Sequence, residues 1–267
     1  MENYIQLVKN EASPLSIQGL EGLSIGESFK LFFKELALST DTRLATLSKS
    51  VHKVSLSPAE ANIRGKKLLY VKCTGAALLV PEGYRPGLAN MAAHTKAVTN
   101  GVFIITSLKT EASRLYHWLK DIINTGRIDS SFRWTVTDFD KALMEALDFV
   151  KGIPENNNKQ TYPLGQVYIS FEEFFETVTR FNIAASTIGA RDTEVLAKEL
   201  TGVYELGELM VTKIKANDLV LSESAIREVE SIVNRFIGFT NLAGAMMTLL
   251  NELTAVLEDQ VKTISKL

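Results

Sequence analysis

The stretch Ser222-ESAIREVESIVNRFIGFTNLAGAMMTLLNELTAVLEDQVKTISK-Leu267 decides the fold. It contains no proline, and Ala225, Val229, Ile232, Phe236, Phe239, Ala243, Met246, Leu250, Leu253 and Leu257 recur at alternating spacings of four and three. That is the rhythm of one helix face. At about 1.5 Å per residue, a helix over Ser222–Ser265 reaches roughly 65 Å. Few globular helices are that long, so shorter helices are expected to pack along it. Val233, Ile237 and Met247 widen the stripe beyond a two-stranded coiled-coil seam. Gly238 and Gly244 mark places where a neighbouring helix approaches closely or the rod bends. The expected fold is mainly α, a multi-helix bundle with this long C-terminal helix as its internal spine and Glu258–Leu267 as its free end. The same rhythm serves intramolecular packing and self-association alike, so it does not select an oligomeric state.

Working upstream, Val195, Leu196, Leu200, Val203, Leu206 and Met210 continue the helical rhythm to about Ala216, and Asn217-Asp218 turns the chain into the spine. Ser170-Phe171-Glu172-Glu173 reads as a capping box opening a helix with Phe174, Phe175, Val178 and Phe181. Helical texture begins again at Leu88, pauses at Asn100-Gly101, and continues through Ile105, Leu108, Ala112, Leu115, Leu119 and Ile122 to Gly126, well placed as a C-cap. Thr137-Asp138-Phe139-Asp140 starts a further helix that ends before Pro154.

Near the N-terminus, Ser24-Ile25-Gly26-Glu27 is another capping box, followed by Phe29, Phe32, Phe33 and Leu36. Asp41 or Thr40 caps the next helix, which carries Leu44, Leu47, Val51 and Val54. Between these helices and Pro81 the pattern changes. Leu68–Cys73 and Ala76–Val80 are short apolar runs separated by Thr74-Gly75, a candidate short β-hairpin near residues 66–80. Buried helix ends fit such leucine-rich runs equally.

Breakers divide the chain. Residues 1–23, with Pro14, Gly19 and Gly22, read as an N-terminal arm or propeptide. Residues 24–154 form an N-terminal helical part, and residues 155–267 a C-terminal helical part packed on the first, beginning in the loop-like stretch Glu155–Pro163. One single domain accommodates both parts.

The totals narrow the function classes. The chain has 267 residues, 46% apolar and 22% charged, enough to bury a sizeable core. A net charge of −2 supplies no general field for nucleic acid or anionic lipid. Cys73 is the single cysteine, which excludes an intramolecular disulfide. Met1-Glu2-Asn3-Tyr4 lacks the basic opening of a secretory signal, and the apolar runs fall short of the ~20 residues that span a bilayer. A soluble protein without membrane contact is expected.

Chemical signatures are sparse. His52, His94 and His117 are the histidines, and only His117 has a carboxylate one helical turn away, Asp121. Two ligands do not close a zinc site, so no metal is expected. Gly65-Lys66 lacks the earlier glycine of a phosphate loop, with Glu60 in its place, and Lys67 stands where serine or threonine is needed. No Gly-x-Ser-x-Gly elbow supports acyl transfer. The pairs Asp138/Asp140 and Glu172/Glu173 sit in first turns, where negative charge favours exposed amides. No catalytic, cofactor-binding or metal-binding residue is therefore assigned, and no cofactor. Arg114, Lys120 and Arg127, interleaved with Tyr116, Trp118 and Phe132, come nearest to a basic–aromatic patch, although an ordinary core face with a solvated flank has the same composition. Phe29, Phe32 and Phe33 form an aromatic stripe that faces a core or docks on another protein.

The arm Glu2–Val8, the glycine-spaced Gly19-Leu20-Glu21-Gly22, the Phe29–Leu36 helix, the Val80–Tyr84 turn and the Gly165–Tyr168 lead-in together resemble internal head and virion structural proteins of large tailed bacteriophages. That resemblance implies a non-enzymatic protein made in the host cytoplasm and packaged in the capsid interior, with other virion proteins as partners and packaged DNA nearby. It also implies removal of a short propeptide by the prohead protease after a small-x-Glu triple, here Gly19, Leu20 and Glu21. The alternative is a host-takeover or regulatory helical binding module in the infected cell's cytoplasm.

Overall fold

The computed structural model describes Lys34, residues 54–55, 72–74, 88–135, 161–163, 168, 170–188 and 190–265. In chain order these give strand β1 (Lys72–Thr74), helix α1 (Leu88–Thr125), strand β2 (Thr161–Pro163), and helices α2 (Phe171–Thr187), α3 (Ala190–Lys215) and α4 (Glu223–Ser265). The fold is mainly α.

Helix α4 forms as its apolar rhythm requires. Val229, Phe236, Phe239, Ala243, Met246, Leu250 and Leu257 are all buried, and so are Val233, Ile237 and Met247 on the widened flank. Each such side chain contributes about 1.5–3 kcal/mol by leaving water. Ser222 caps the start: its hydroxyl accepts from the Ala225 amide at 3.2 Å, and its carbonyl accepts from the Ile226 amide at 3.0 Å. The preceding helix α3 ends in a full Schellman arrangement. The Asn217 amide donates to the Ile214 carbonyl and the Asp218 amide to the Lys213 carbonyl, with Asn217 at φ 59° in the left-handed region that asparagine tolerates.

The helix that touches all the others is α1; α2, α3 and α4 each pack on it. Among the described residues α1 and α4 are two long rods side by side, while the helices expected before Val54 and after Thr137 lie outside the described residues. Gly101 is the reason they lie close. A Cβ at that position would fall 2.7 Å from Leu250 Cδ1 of α4. The expected pause at Asn100-Gly101 does not occur, because α1 runs unbroken through both residues. Its glycine marks a helix–helix approach, whereas at Gly238, where a close neighbour or a bend was expected, no described residue comes within 4 Å of where a Cβ would stand. The helix does end at Gly126, at φ 71°, whose amide donates to the Ile122 carbonyl at 2.9 Å.

These contacts also set the directions. Gly101 faces Leu250, and Gly126 lies beside Leu219, just ahead of α4, so α1 and α4 are antiparallel. Tyr116 of α1 packs against Gly202 of α3, while Ile105 and Val195 line one cleft, so α3 runs with α1. The α2 entry is tied to the far end of α4 through Tyr168 and Gln260, and its exit at Thr187-Ile188 reaches the Ile105 cleft. Helices α2 and α3 thus follow one another along α1 as two segments of a third rod. At about 1.5 Å per residue, their 17 and 26 residues match the 43 of α4. The rods share one apolar cluster drawn from Val54 to Leu257, on both sides of the loop-like stretch at 155–163.

The strand pairing differs from the expected hairpin. Lys72–Thr74 is extended, but its partner is Thr161–Pro163, antiparallel, with Cys73 opposite Tyr162. A short apolar run announces a strand without naming its partner, and here the partner is brought by tertiary packing rather than by a local turn. The run Ala76–Val80 lies outside the described residues. So do the Thr137–Val150 helix and the side chains of Met91 to Val98.

Candidate functional site

Gly19, Leu20 and Glu21, the proposed cleavage triple, and Phe29, Phe32 and Phe33, the proposed interaction stripe, lie outside the described residues; their neighbour Lys34 is helical and exposed. Among the described residues, polar chemistry is gathered at three braces that hold one segment of chain against another.

The first brace is the basic–aromatic patch. Arg114 donates to the Arg133 carbonyl at 2.6 Å, and its guanidinium lies 6.0 Å from the centre of the Phe132 ring. Trp118 Nε1 donates to the Ser130 carbonyl at 2.9 Å. Arg127 pairs with Asp129 at 2.7 Å. The rings continue in edge-to-face contacts from Trp118 to Phe132 and from Phe132 to Trp134, which stacks on Phe236 of α4 under the Arg235 guanidinium. Beneath them Glu111, 0% exposed, accepts from both the amide and the hydroxyl of Thr135, with Arg114 3.6 Å from its other oxygen. The patch fastens residues 130–135 to α1 and α4, which gives Arg114, Trp118 and Phe132 a packing role, while Arg127 pairs within its own loop.

The second brace joins the two ends of the C-terminal half. The Tyr168 hydroxyl donates to Gln260 Oε1 at 3.0 Å, both residues being fully buried, and Tyr168 meets Phe174 edge to face. In the adjoining capping box the Ser170 hydroxyl accepts from the Glu173 amide at 3.2 Å. Glu172 sits exposed in the first turn, where hydrogen bonds from its own backbone amide and from Ser170 hold its carboxyl below the ordinary carboxylate range. Capping accounts for Glu172, whereas Glu173 is buried.

The third brace reaches furthest in sequence. Val54 is not helical, and its amide donates to Asn182 Oδ1 at 2.8 Å while Asn182 Nδ2 donates to its carbonyl at 2.9 Å, across 128 residues. Its side chain is 2% exposed. That departs from the helix expected to carry Val54, whose other residues lie outside the described residues.

Described residues line two surface clefts. One, about 420 Å³, lies where α2 gives way to α3 and is lined by Ile105, Thr106, Lys109, Thr187, Ile188 and Glu199 among others. Its threonine hydroxyls donate back to carbonyls one turn earlier, Thr106 to Val102 and Thr187 to Ile183. The other, about 390 Å³, lies between the 126–131 loop and the start of α4. His117 is exposed, edge-on to Tyr116 at 5.5 Å. Among the described residues no group of three or more His, Cys, Asp or Glu side chains is placed to hold a metal ion, and no helix is long and apolar enough to cross a membrane.

The braces were partly visible beforehand. Glu111 and Gln260 occupy stripe positions, three after Leu108 and three after Leu257, where a buried polar residue needs a partner. Asn182 carries no such mark, because only the arrival of Val54 gives it a role. No protein-family model, curated protein or solved structure matches the chain.

Proposed function

We propose that this chain is a non-enzymatic structural protein of a tailed-bacteriophage virion, an internal head protein that acts in the capsid by protein–protein contacts. The observation that carries this reading is the use of its buried and half-buried polar groups. Glu111, Gln260 and Asn182 each hold one segment of chain to another, which is how a scaffold uses polarity. The long paired rods add a stiff frame with extended sides for neighbours, and the opening residues resemble internal head proteins with their protease-sensitive arms. Packaged DNA is a neighbour by location in this reading, since Arg114 and Trp118 of the basic–aromatic patch brace the chain at residues 130–133 instead.

Mass spectrometry of purified particles tests it. The expected result is the protein inside the particle with its mature N-terminus at Gly22. Detection only in infected-cell lysate, with Met1 or Glu2 still present, overturns both the location and the processing at Glu21 and favours a host-directed binding module.

A further inference from the structure

We propose that the cleft where α2 gives way to α3 binds a small aliphatic zwitterion, an α-amino acid with a branched apolar side chain. The cleft holds about 420 Å³, inside the roughly 300–1,000 Å³ of small-molecule sites. Two of its walls are α1 and α3, which run in the same direction. Ile105 and Val195 share the cleft at one level, and Tyr116 packs on Gly202 further along. Lys109 of α1 and Glu199 of α3 both fall between those two levels, so an ammonium and a carboxylate line one cleft from neighbouring rods. Thr187 and Ile188, at the exit of α2, line it as well.

The lining selects the occupant. Ile105 and Ile188 are buried and, with Val195, offer branched aliphatic surface. The hydroxyl protons of Thr106, Thr110 and Thr187 are committed to helix carbonyls one turn earlier, at 2.7, 3.3 and 3.1 Å, which leaves their lone pairs as acceptors. Together with the Glu199 carboxylate they suit an ammonium, a group with three donors and no acceptor. Lys109 supplies the opposite sign for a carboxylate, and its three N–H donors serve a ligand oxygen alongside the partner it already has. A simple anion would meet Glu199 and the hydroxyl acceptors, and a simple cation would meet Lys109. A wholly apolar molecule would take water from both charges and return no hydrogen bond. A molecule that carries both charges and an aliphatic branch matches every part of the lining. The inference goes beyond the structural role and does not depend on a virion location.

Saturation-transfer NMR titrations on the full-length chain test it. The probes are L-leucine, L-leucinol, which lacks the carboxylate, and isocaproate, which lacks the ammonium. L-Leucine should bind at least about tenfold more tightly than either analogue, the scale of one hydrogen bond to a charged group. These comparisons use the wild-type chain and need no variant to fold. Glu199→Gln, at a half-buried position, should weaken L-leucine about tenfold and leave isocaproate unchanged, because isocaproate has no ammonium to lose. No saturation transfer to L-leucine from the wild-type chain overturns the site. Equal affinity for L-leucine and isocaproate reduces the cleft to an apolar slot and overturns the charge recognition. Undiminished L-leucine binding in Glu199→Gln puts the ligand elsewhere and overturns it too.

Discussion

Replacing Gly101 with alanine sets two effects of opposite sign against each other. Glycine inside a helix costs about 1 kcal/mol relative to alanine, so on an open helix the substitution would stabilise. Here the new Cβ falls 2.7 Å from Leu250 Cδ1 and 3.2 Å from its Cγ, and Leu250 is buried with 1% exposure. Overpacking a close-packed core costs about 1–3 kcal/mol. The propensity gain offsets part of that, leaving Gly101→Ala neutral to about 2 kcal/mol destabilised. Leu250→Ala alone removes a buried side chain and leaves a cavity, a loss of about 2–5 kcal/mol. In the double variant the new methyl enters the space that Leu250 vacates, the clash disappears and the propensity gain remains. The pair should therefore be more stable than the sum of the singles by about 1–3 kcal/mol, within the range seen for residues in contact. Urea unfolding followed by circular dichroism measures all four proteins. Additivity within about 0.5 kcal/mol would refute the close approach of α1 and α4 at this point.

Phe236→Asp should abolish cooperative thermal unfolding, because it removes about 3–5 kcal/mol of packing and buries a carboxylate in a fold whose whole margin is about 5–15 kcal/mol; a soluble, fully folded variant that loses only self-association would restore a coiled-coil view of α4. Ser222→Ala should cost about 1 kcal/mol through loss of the cap, seen as a lower urea midpoint, and no change there would remove Ser222 from the capping role. Glu230 gives a pH test. Burial pushes its carboxyl above the ordinary carboxylate range, against the opposing pull of Arg227. The folded state then binds that proton more tightly than the unfolded chain, so this residue's contribution to stability falls as pH rises through the folded value. Glu230→Gln should raise Tm near pH 7 and leave it almost unchanged near pH 3, where the acid is neutral in both states; an equal shift at both pH values contradicts the burial effect.

Local rules carried much of the secondary structure. The α4 stripe, the caps at Ser170 and Ser222, the stop at Gly126 and the turn at Asn217 are interactions within one or two helical turns, so the residues that make them sit together in the sequence. Local rules failed where a residue's role depends on something distant. Gly101 reads as a pause because glycine lowers helix propensity, but a long helix with a packed face overrides one such penalty, and what decides is Leu250 on another rod. The strand at Lys72–Thr74 was legible, yet its pairing with Thr161–Pro163 was not, since period-two patterning carries no information on the partner.

The site shows the same division. Glu172 sits in the first turn of α2, where the sequence places a capping group, because its surroundings are local. The basic–aromatic patch is ambiguous from composition alone, and only the return of residues 130–135 over α1 makes it a brace.

By itself the sequence determined that this protein is a bundle of long helices, where most of those helices begin and end, and which faces are apolar. Tertiary structure decided that α1 and α4 lie side by side, that α2 and α3 form one broken rod, and that Asn182 grips Val54. The physical reason is range. Helix periodicity and capping act over a few residues, whereas close approach, strand choice and a side-chain clamp across 128 residues exist only once the apolar faces have been buried against one another.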